Sequence, residues 1–187
     1  GPVPPTMVSC GTVEEPNVLC VAWTGIVNSQ PPMTYVSIRP SRHSYGLIKE
    51  SGEFVINLTP SRLVRAADYV GVRSGRDENK FEKMHLTALP CTHVSAPQIA
   101  ECPVSLECRV KDILPLGSHD MFIADILSVS VDEKLLGKDG KLDYEKADLV
   151  AYSHGSYYKL GKYLGNLLQG DFGVSIKMQK NRPVLDI

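Results

Sequence analysis

The stretch Arg39-Pro40-Ser41-Arg42-His43-Ser44 is where residue types and position converge on a chemistry. It leaves an apolar run, Met33 to Ile38, and enters Ser41 to Ser51, where Tyr45 and Ile48 lie one helical turn apart. Ser41 or Ser44 suits the start of that helix, and Gly52 suits the position just past its end. The first N–H groups of a helix have no partner inside it and carry its positive end. Two arginines and two serines at such a point would bind a phosphate. An ordinary capped helix with solvated basic side chains accounts for the same residues and stands as the plainer alternative.

The remaining candidates are weaker. Trp23 is the only tryptophan and has Gly25 two residues on, where a planar ligand could approach the backbone closely; a lone Trp is more often core. Ser74 to Phe81 joins a flexible turn to a helix start and reads as a solvated charged loop. His119 follows Gly117-Ser118 at a turn. His154 stands beside Ser153 and Ser156, but adjacency in sequence does not make a nucleophile–base pair. There is no Gly-x-Gly-x-x-Gly fingerprint, P-loop, His-Glu-x-x-His zinc pattern or Gly-x-Ser-x-Gly elbow. No metal site is expected.

The elements that must position these residues are mostly strands. Met7 to Gly11, Asn17 to Val27 and Met33 to Ile38 read as three strands, and Glu53 to Leu58 as a fourth after the helix. Ser61 to Tyr69 and Asp77 to His85 read as short helices around the turn Gly71 to Gly75. From Pro103, Val104, Leu106, Cys108 and Val110 alternate with polar residues, the pattern of a half-buried strand. A turn at Gly117-Ser118 leads into Met121 to Val131, so this pair reads as a long hairpin. Lys138 to Lys141 is a turn, and Tyr157 to about Leu168 reads as a last helix. Many strands, one early helix and peripheral helices predict a closed or nearly closed antiparallel barrel. The strand–helix alternation of a parallel α/β fold is missing.

Composition sets the bounds. With 187 residues the chain is expected to be a single domain spanning 1–187, with about 170–187 as a C-terminal extension. Twenty basic against 21 acidic residues argue against a nucleic-acid surface, which needs a basic excess. No apolar run approaches the ~18 residues of a membrane span, so no membrane partner is expected. The start, Gly1-Pro2-Val3-Pro4-Pro5, has neither a charged leader nor an apolar stretch. Five widely spaced cysteines do not form a disulfide framework and read as buried thiols of a cytoplasmic protein.

Taken together the runs resemble one family. Ala22-Trp23-Thr24-Gly25, Pro31-Pro32, Val36 to Tyr45 and Gly52 to Leu58 look like the flavin reductase-like FMN-binding split barrels. Ser74-Gly75-Arg76-Asp77 with Lys80-Phe81, Gly117 to Phe122, and Tyr152 to Gly155 followed by Tyr158 and Leu160-Gly161 point to the flavoredoxin-like branch. The resemblance runs from about residue 2 to 168. It implies a mainly β fold with peripheral helices: a six-stranded antiparallel Greek-key split β-barrel, dimerised around two FMN sites. It implies that Asn17 and Trp23 contact the isoalloxazine, and that Arg39, Ser41, Arg42 and Ser44 hold the phosphate. Lys80, His119 and Tyr152 match further flavin-contacting positions, and Thr24 and Asn57 complete the implied cofactor-binding set. Ser44 stands where a Thr also occurs and Tyr152 where a Phe also occurs; each swap keeps the hydroxyl or the ring.

The function so implied is an NAD(P)H-dependent flavin reductase. It takes NADH or NADPH as co-substrate and passes electrons to a small-molecule or protein acceptor. No catalytic side chain is expected, since the flavin carries the chemistry. The rival from another class is a flavoredoxin-like FMN electron carrier that never meets a nicotinamide. A weaker third is a pyridoxamine-phosphate-oxidase-like enzyme on a related barrel.

Overall fold

The computed structural model describes residues 1–138 and 140–161, and the backbone of two further strands at 175–179 and 182–186. In chain order the first elements are β1 (Thr6–Gly11), β2 (Pro16–Val21), β3 (Thr24–Ser29), β4 (Pro32–Ile38), α1 (His43–Ser51) and β5 (Glu53–Leu58). The middle holds α2 (Val64–Val72), α3 (Lys80–Lys83) and two short strands, β6 (Ala88–Leu89) and β7 (Gln98–Ile99). Then come β8 (Val104–Pro115), β9 (Asp120–Val131), β10 (Val150–Ser153), β11 (Ser156–Lys159), β12 (Ser175–Gln179) and β13 (Arg182–Asp186). No helix among the described residues is long and apolar enough to cross a membrane.

The main sheet is antiparallel and runs β2-β1-β5-β8-β9, with β4 on the far edge of β9 and β3 beyond β4. The connection that follows β2 returns to β4, where Ser37 N–H donates to Trp23 C=O at 2.9 Å. Six strands, β2, β1, β5, β8, β9 and β4, thus form the wall of a split barrel, as expected. The sheet as a whole is larger, with nine strands, because β3 extends from β4 and the β12–β13 pair extends from β9. Within the C-terminal extension, β13 pairs with β9: Val184 with Ser130 and Leu185 with Val129.

Strand alternation fills the barrel. Val8 and Cys10, Leu19 and Val21, Phe54 and Ile56, and Phe122, Ala124 and Ile126 all point inward, and Ile48 of α1 plugs one end. The opposite faces of β1 and β2 are buried too. Met7 and Val18 pack against Ala66, Ala67 and Val70 of α2 and against Phe81 of α3. That double burial is why both strands read as nearly continuous apolar runs.

Several boundaries differ from the pattern in the sequence. Asn17 to Val27 is not one strand. β2 stops at Val21 and β3 starts at Thr24, because the chain leaves β1 for β4 and turns the barrel corner at Ala22-Trp23. α2 starts at Val64, after a 3-10 turn at Ser61–Leu63. α3 starts at Lys80 rather than Asp77, because Asn79 caps it: its side chain accepts from the N–H groups of Phe81 and Glu82 at 3.1 and 3.3 Å. The helix expected from Tyr157 is instead a strand over its first turn. His154 and Gly155 have φ of 47° and 82° and form the tight turn of the β10–β11 hairpin. Residues 162–168 of that expected helix lie outside the described residues.

Candidate functional site

The β4–α1 connection forms one wall of a cavity of about 680 Å3. Arg39, Ser41, Arg42, His43 and Ser44 line that side, and Leu19 lies at the base. Arg42 is the N-cap of α1, with extended backbone and no side-chain hydrogen bond to the first turn. Neither Ser41 nor Ser44 caps the helix. The helix end closes as expected, with Gly52 at φ 70° and its N–H on Ile48 C=O at 2.9 Å.

The other wall comes from the α2–α3 connection: Arg73, Ser74, Gly75, Arg76, Asp77 and Lys80. Packing of α2 and α3 on β2 brings it there. Arg76 ties the walls together, its guanidinium donating to Ser41 C=O at 3.2 Å. Gly75 is needed for the approach, since a Cβ there would collide with Asn17 Oδ1 and stand 2.9 Å from His43 Cδ2. The lining thus carries five cationic side chains and one carboxylate, Asp77.

The electrostatics follow from that crowding of positive charge. Lys80 is 4% exposed, and its ammonium donates to the carbonyls of Val70 and Arg73, both at 3.2 Å. Burial pulls Lys80 down to about 8; the Arg42 charge pulls the same way, while Cys10 and Glu78 oppose it. Burial, then the charges of Arg76 and Lys80, hold the His43 imidazole below its ordinary value. A dianion in the cavity would offset the repulsion among these cations.

Of the implied cofactor-binding residues, Arg39, Ser41, Arg42, Ser44 and Lys80 line the cavity. Asn17 stands behind it, donating to Ser44 Oγ at 2.7 Å. Trp23, Thr24, His119 and Tyr152 are not brought to it. Trp23 is 53% exposed at the barrel corner. Thr24 is buried beside it and donates to Tyr35 C=O at 2.7 Å. His119 sits at the β8–β9 tip, its Nδ1 2.9 Å from Ser118 Oγ. Tyr152 packs edge-on against Tyr157 with ring centroids 5.4 Å apart.

Asn57 stands apart from the cavity. It is fully buried between strands, its Nδ2 donating to Met7 C=O, Ser9 Oγ and Val55 C=O. Its Oδ1 accepts from Ile99 N–H and Ser105 Oγ, so the amide belongs to the core network and has nothing left for a ligand. The residues that sequence reasoning missed are Arg73 and Arg76. Arg73 falls in the turn Gly71 to Gly75 and Arg76 in the solvated loop Ser74 to Phe81, readings that only the packing of α2 changes.

None of the five cysteines forms a disulfide. What the cavity can do is hold a phosphate monoester, with guanidinium forks, hydroxyls and helix N–H groups converging on it. A phosphate-bearing ligand fits this lining, and an uncharged one would leave its cations unanswered.

The class of protein is thus a split antiparallel barrel with a cationic cavity where β4 meets α1. The chain belongs to the flavin reductase-like domain family, whose model matches residues 2–161. It is similar to the flavoredoxin of Desulfovibrio vulgaris (Miyazaki F), at 36% identity and a TM-score of 0.84 over 89% of this chain and 91% of that one. It is also similar to a flavoredoxin from Methanosarcina acetivorans, at 29% identity and a TM-score of 0.80 over 90% of each chain. A NADPH-flavin oxidoreductase of Streptomyces viridifaciens is 29% identical over 128 residues, 66% of this chain and 65% of that one.

Proposed function

We propose that the protein binds FMN with its phosphate in the cationic cavity and works as an NAD(P)H-dependent flavin oxidoreductase. The observation that carries this reading is the convergence of five cations and a helix N-terminus on one cavity in a chain of this family. When bound, the flavin supplies the redox chemistry, taking up hydride and passing electrons to a small-molecule or protein acceptor. Arg39 and Arg42 hold the phosphate from the solvent side. Ser41, Ser44 and the first N–H groups of α1 hold it from the helix side, and Lys80 from below. No side chain is assigned a proton transfer.

A homodimer is part of the same proposal. Trp23, Ile26 and Val27 are 53%, 67% and 49% exposed on or beside β3, which among the described strands pairs with β4 alone. A second copy covering this face would bring its own Trp23, His119 or Tyr152 toward the ring. Sedimentation is expected to find a dimer, and Ile26→Glu to yield a monomer with weakened FMN binding. A wild-type monomer that holds FMN tightly would overturn this part.

The similarity to flavoredoxins favours one other reading, an FMN carrier without nicotinamide-dependent activity. The two separate in one experiment. Anaerobic NADH or NADPH is expected to bleach the bound flavin within seconds, and a second acceptor to restore the colour. Reduction by dithionite alone, with neither nicotinamide effective over many minutes, would make the carrier reading correct.

A further inference from the structure

The cavity carries more positive charge than one flavin phosphate answers. Five cations against one carboxylate, Asp77, leave an excess of four positive charges on the lining, in a chain whose net charge is -1. A phosphate monoester brings about two negative charges. The lining is also layered. Lys80 and Ser44 are buried, whereas Arg39, Arg42, Arg73 and Arg76 are exposed around the mouth. Among the described residues, none of these four arginines forms an ion pair. Like charges crowded about one opening repel one another until an anion arrives.

Arg73 and Arg76 stand on one turn of the α2–α3 connection. The N–H of Arg73 ends α2 on Tyr69 C=O at 3.0 Å, and Asp77 N–H closes the turn on Ser74 C=O at 3.2 Å. The Arg73 guanidinium lies over the Tyr69 ring, 5.9 Å from its centroid, and the Tyr69 hydroxyl is anchored on Glu78. The Arg76 guanidinium uses one N–H on Ser41 C=O. Each fork is thus held in place and keeps most of its donors at the opening.

We propose that Arg73 and Arg76 form a second phosphate subsite at the mouth, for the 2′-phosphate of NADPH, and so set a preference for NADPH over NADH. This rests on the flavin reading above and deepens it. Hydride transfer needs the nicotinamide stacked on the isoalloxazine, and the ribityl phosphate tethers that ring to the cavity. The dinucleotide is longer than this tether, so its adenosine end reaches back to the mouth. NADH and NADPH share a diphosphate that spreads one charge over each phosphorus. Only NADPH adds a monoester, with two charges and three free oxygens on one phosphorus, which suits two guanidinium forks. An arginine beside the adenosine ribose is how a dinucleotide site accommodates that group.

The test is calorimetric binding of two coenzyme fragments to the FMN-loaded protein: adenosine 2′,5′-bisphosphate, and 5′-AMP, which lacks the 2′-phosphate. The bisphosphate is expected to bind at least about tenfold more tightly, and Arg73→Ala or Arg76→Ala to lower that preference roughly tenfold. Arg73→Lys keeps the charge and loses the fork, so it should fall between. Both side chains are exposed, so the variants should fold as the wild type does. Reduction of the bound flavin should follow the same order, with NADPH favoured and the preference lowered in the same variants. Equal binding of the two fragments, or a preference that both alanine variants retain, would overturn the inference. So would release of FMN by the bisphosphate, or a loss of FMN affinity in Arg73→Ala as large as in Arg42→Ala, since either places these arginines on the flavin phosphate. Selective binding of the bisphosphate by a protein that neither coenzyme reduces would keep the subsite and overturn the oxidoreductase reading instead.

Discussion

Arg42→Ala is expected to weaken FMN binding by between about ten- and a hundredfold while leaving riboflavin within about twofold. The two ligands share the isoalloxazine and differ in the phosphate, so the contrast isolates the anion cradle. Arg42 is well suited to this test. It is exposed and caps α1 through its backbone alone, with no side-chain bond to the helix, so truncation should leave the fold unchanged. Its guanidinium offers a planar fork to phosphate oxygens that Lys cannot reproduce, so Arg42→Lys should retain the charge term and fall between the two. Raising salt should weaken FMN binding to the wild type and leave riboflavin nearly unaffected, because screening acts on the charge term alone. Flavin-fluorescence titrations of both ligands read all of this. Equal losses for FMN and riboflavin would place Arg42 away from the phosphate.

Half of this cavity's lining was legible in the sequence. The run from Arg39 to Ser44 announces itself because Pro40 stops a strand, a helical period begins at once, and Gly52 marks its end nine residues on from His43. Those are local signals, set by backbone chemistry within one turn. Arg73, Arg76 and the contact of Asn17 with Ser44 had no such signal. They come to the cavity only because Ala66, Ala67 and Val70 pack on Met7 and Val18, a contact between segments more than 40 residues apart. The long hairpin from Pro103 to Val131 was equally readable, since a half-wet strand alternates. The break at Ala22-Trp23 was not, since both sides of the corner are apolar and the turn is made by a change of partner from β1 to β4. Tyr157 misled for a related reason: aromatic and leucine spacing imitated a helix, while the positive φ values of His154 and Gly155 decided for a hairpin. Asn57 matched the family by type, yet its five hydrogen bonds to β1, β5, β7 and β8 show a structural amide.

Above pH 8, FMN affinity is expected to fall by up to tenfold per pH unit, and riboflavin affinity to stay level. The cause is Lys80, which burial pulls from the ordinary 10.5 to about 8 in the free protein. Below pH 8 its ammonium is charged both before and after the phosphate arrives, so affinity does not vary with this group. Above pH 8 the free protein holds Lys80 neutral, while the bound dianion restores the charged form, so binding must take up a proton. The phosphate itself loses its second proton near pH 6 and is constant over this range. Calorimetry at about pH 9, in buffers of different ionisation heat, should detect uptake of up to one proton, and Lys80→Met should abolish both the uptake and the slope. The effect on the free protein has the opposite consequence. A lysine whose folded value lies below its unfolded value destabilises the fold while it is forced to be charged. That penalty is full below pH 8 and fades as pH rises toward 10.5, where the unfolded chain too gives up the proton. Lys80→Met should therefore remove this pH-dependent part of the free protein's stability between pH 8 and 10.5, while weakening FMN. An FMN affinity flat from pH 7 to 10 would separate Lys80 from the phosphate and leave its burial without a ligand to answer it.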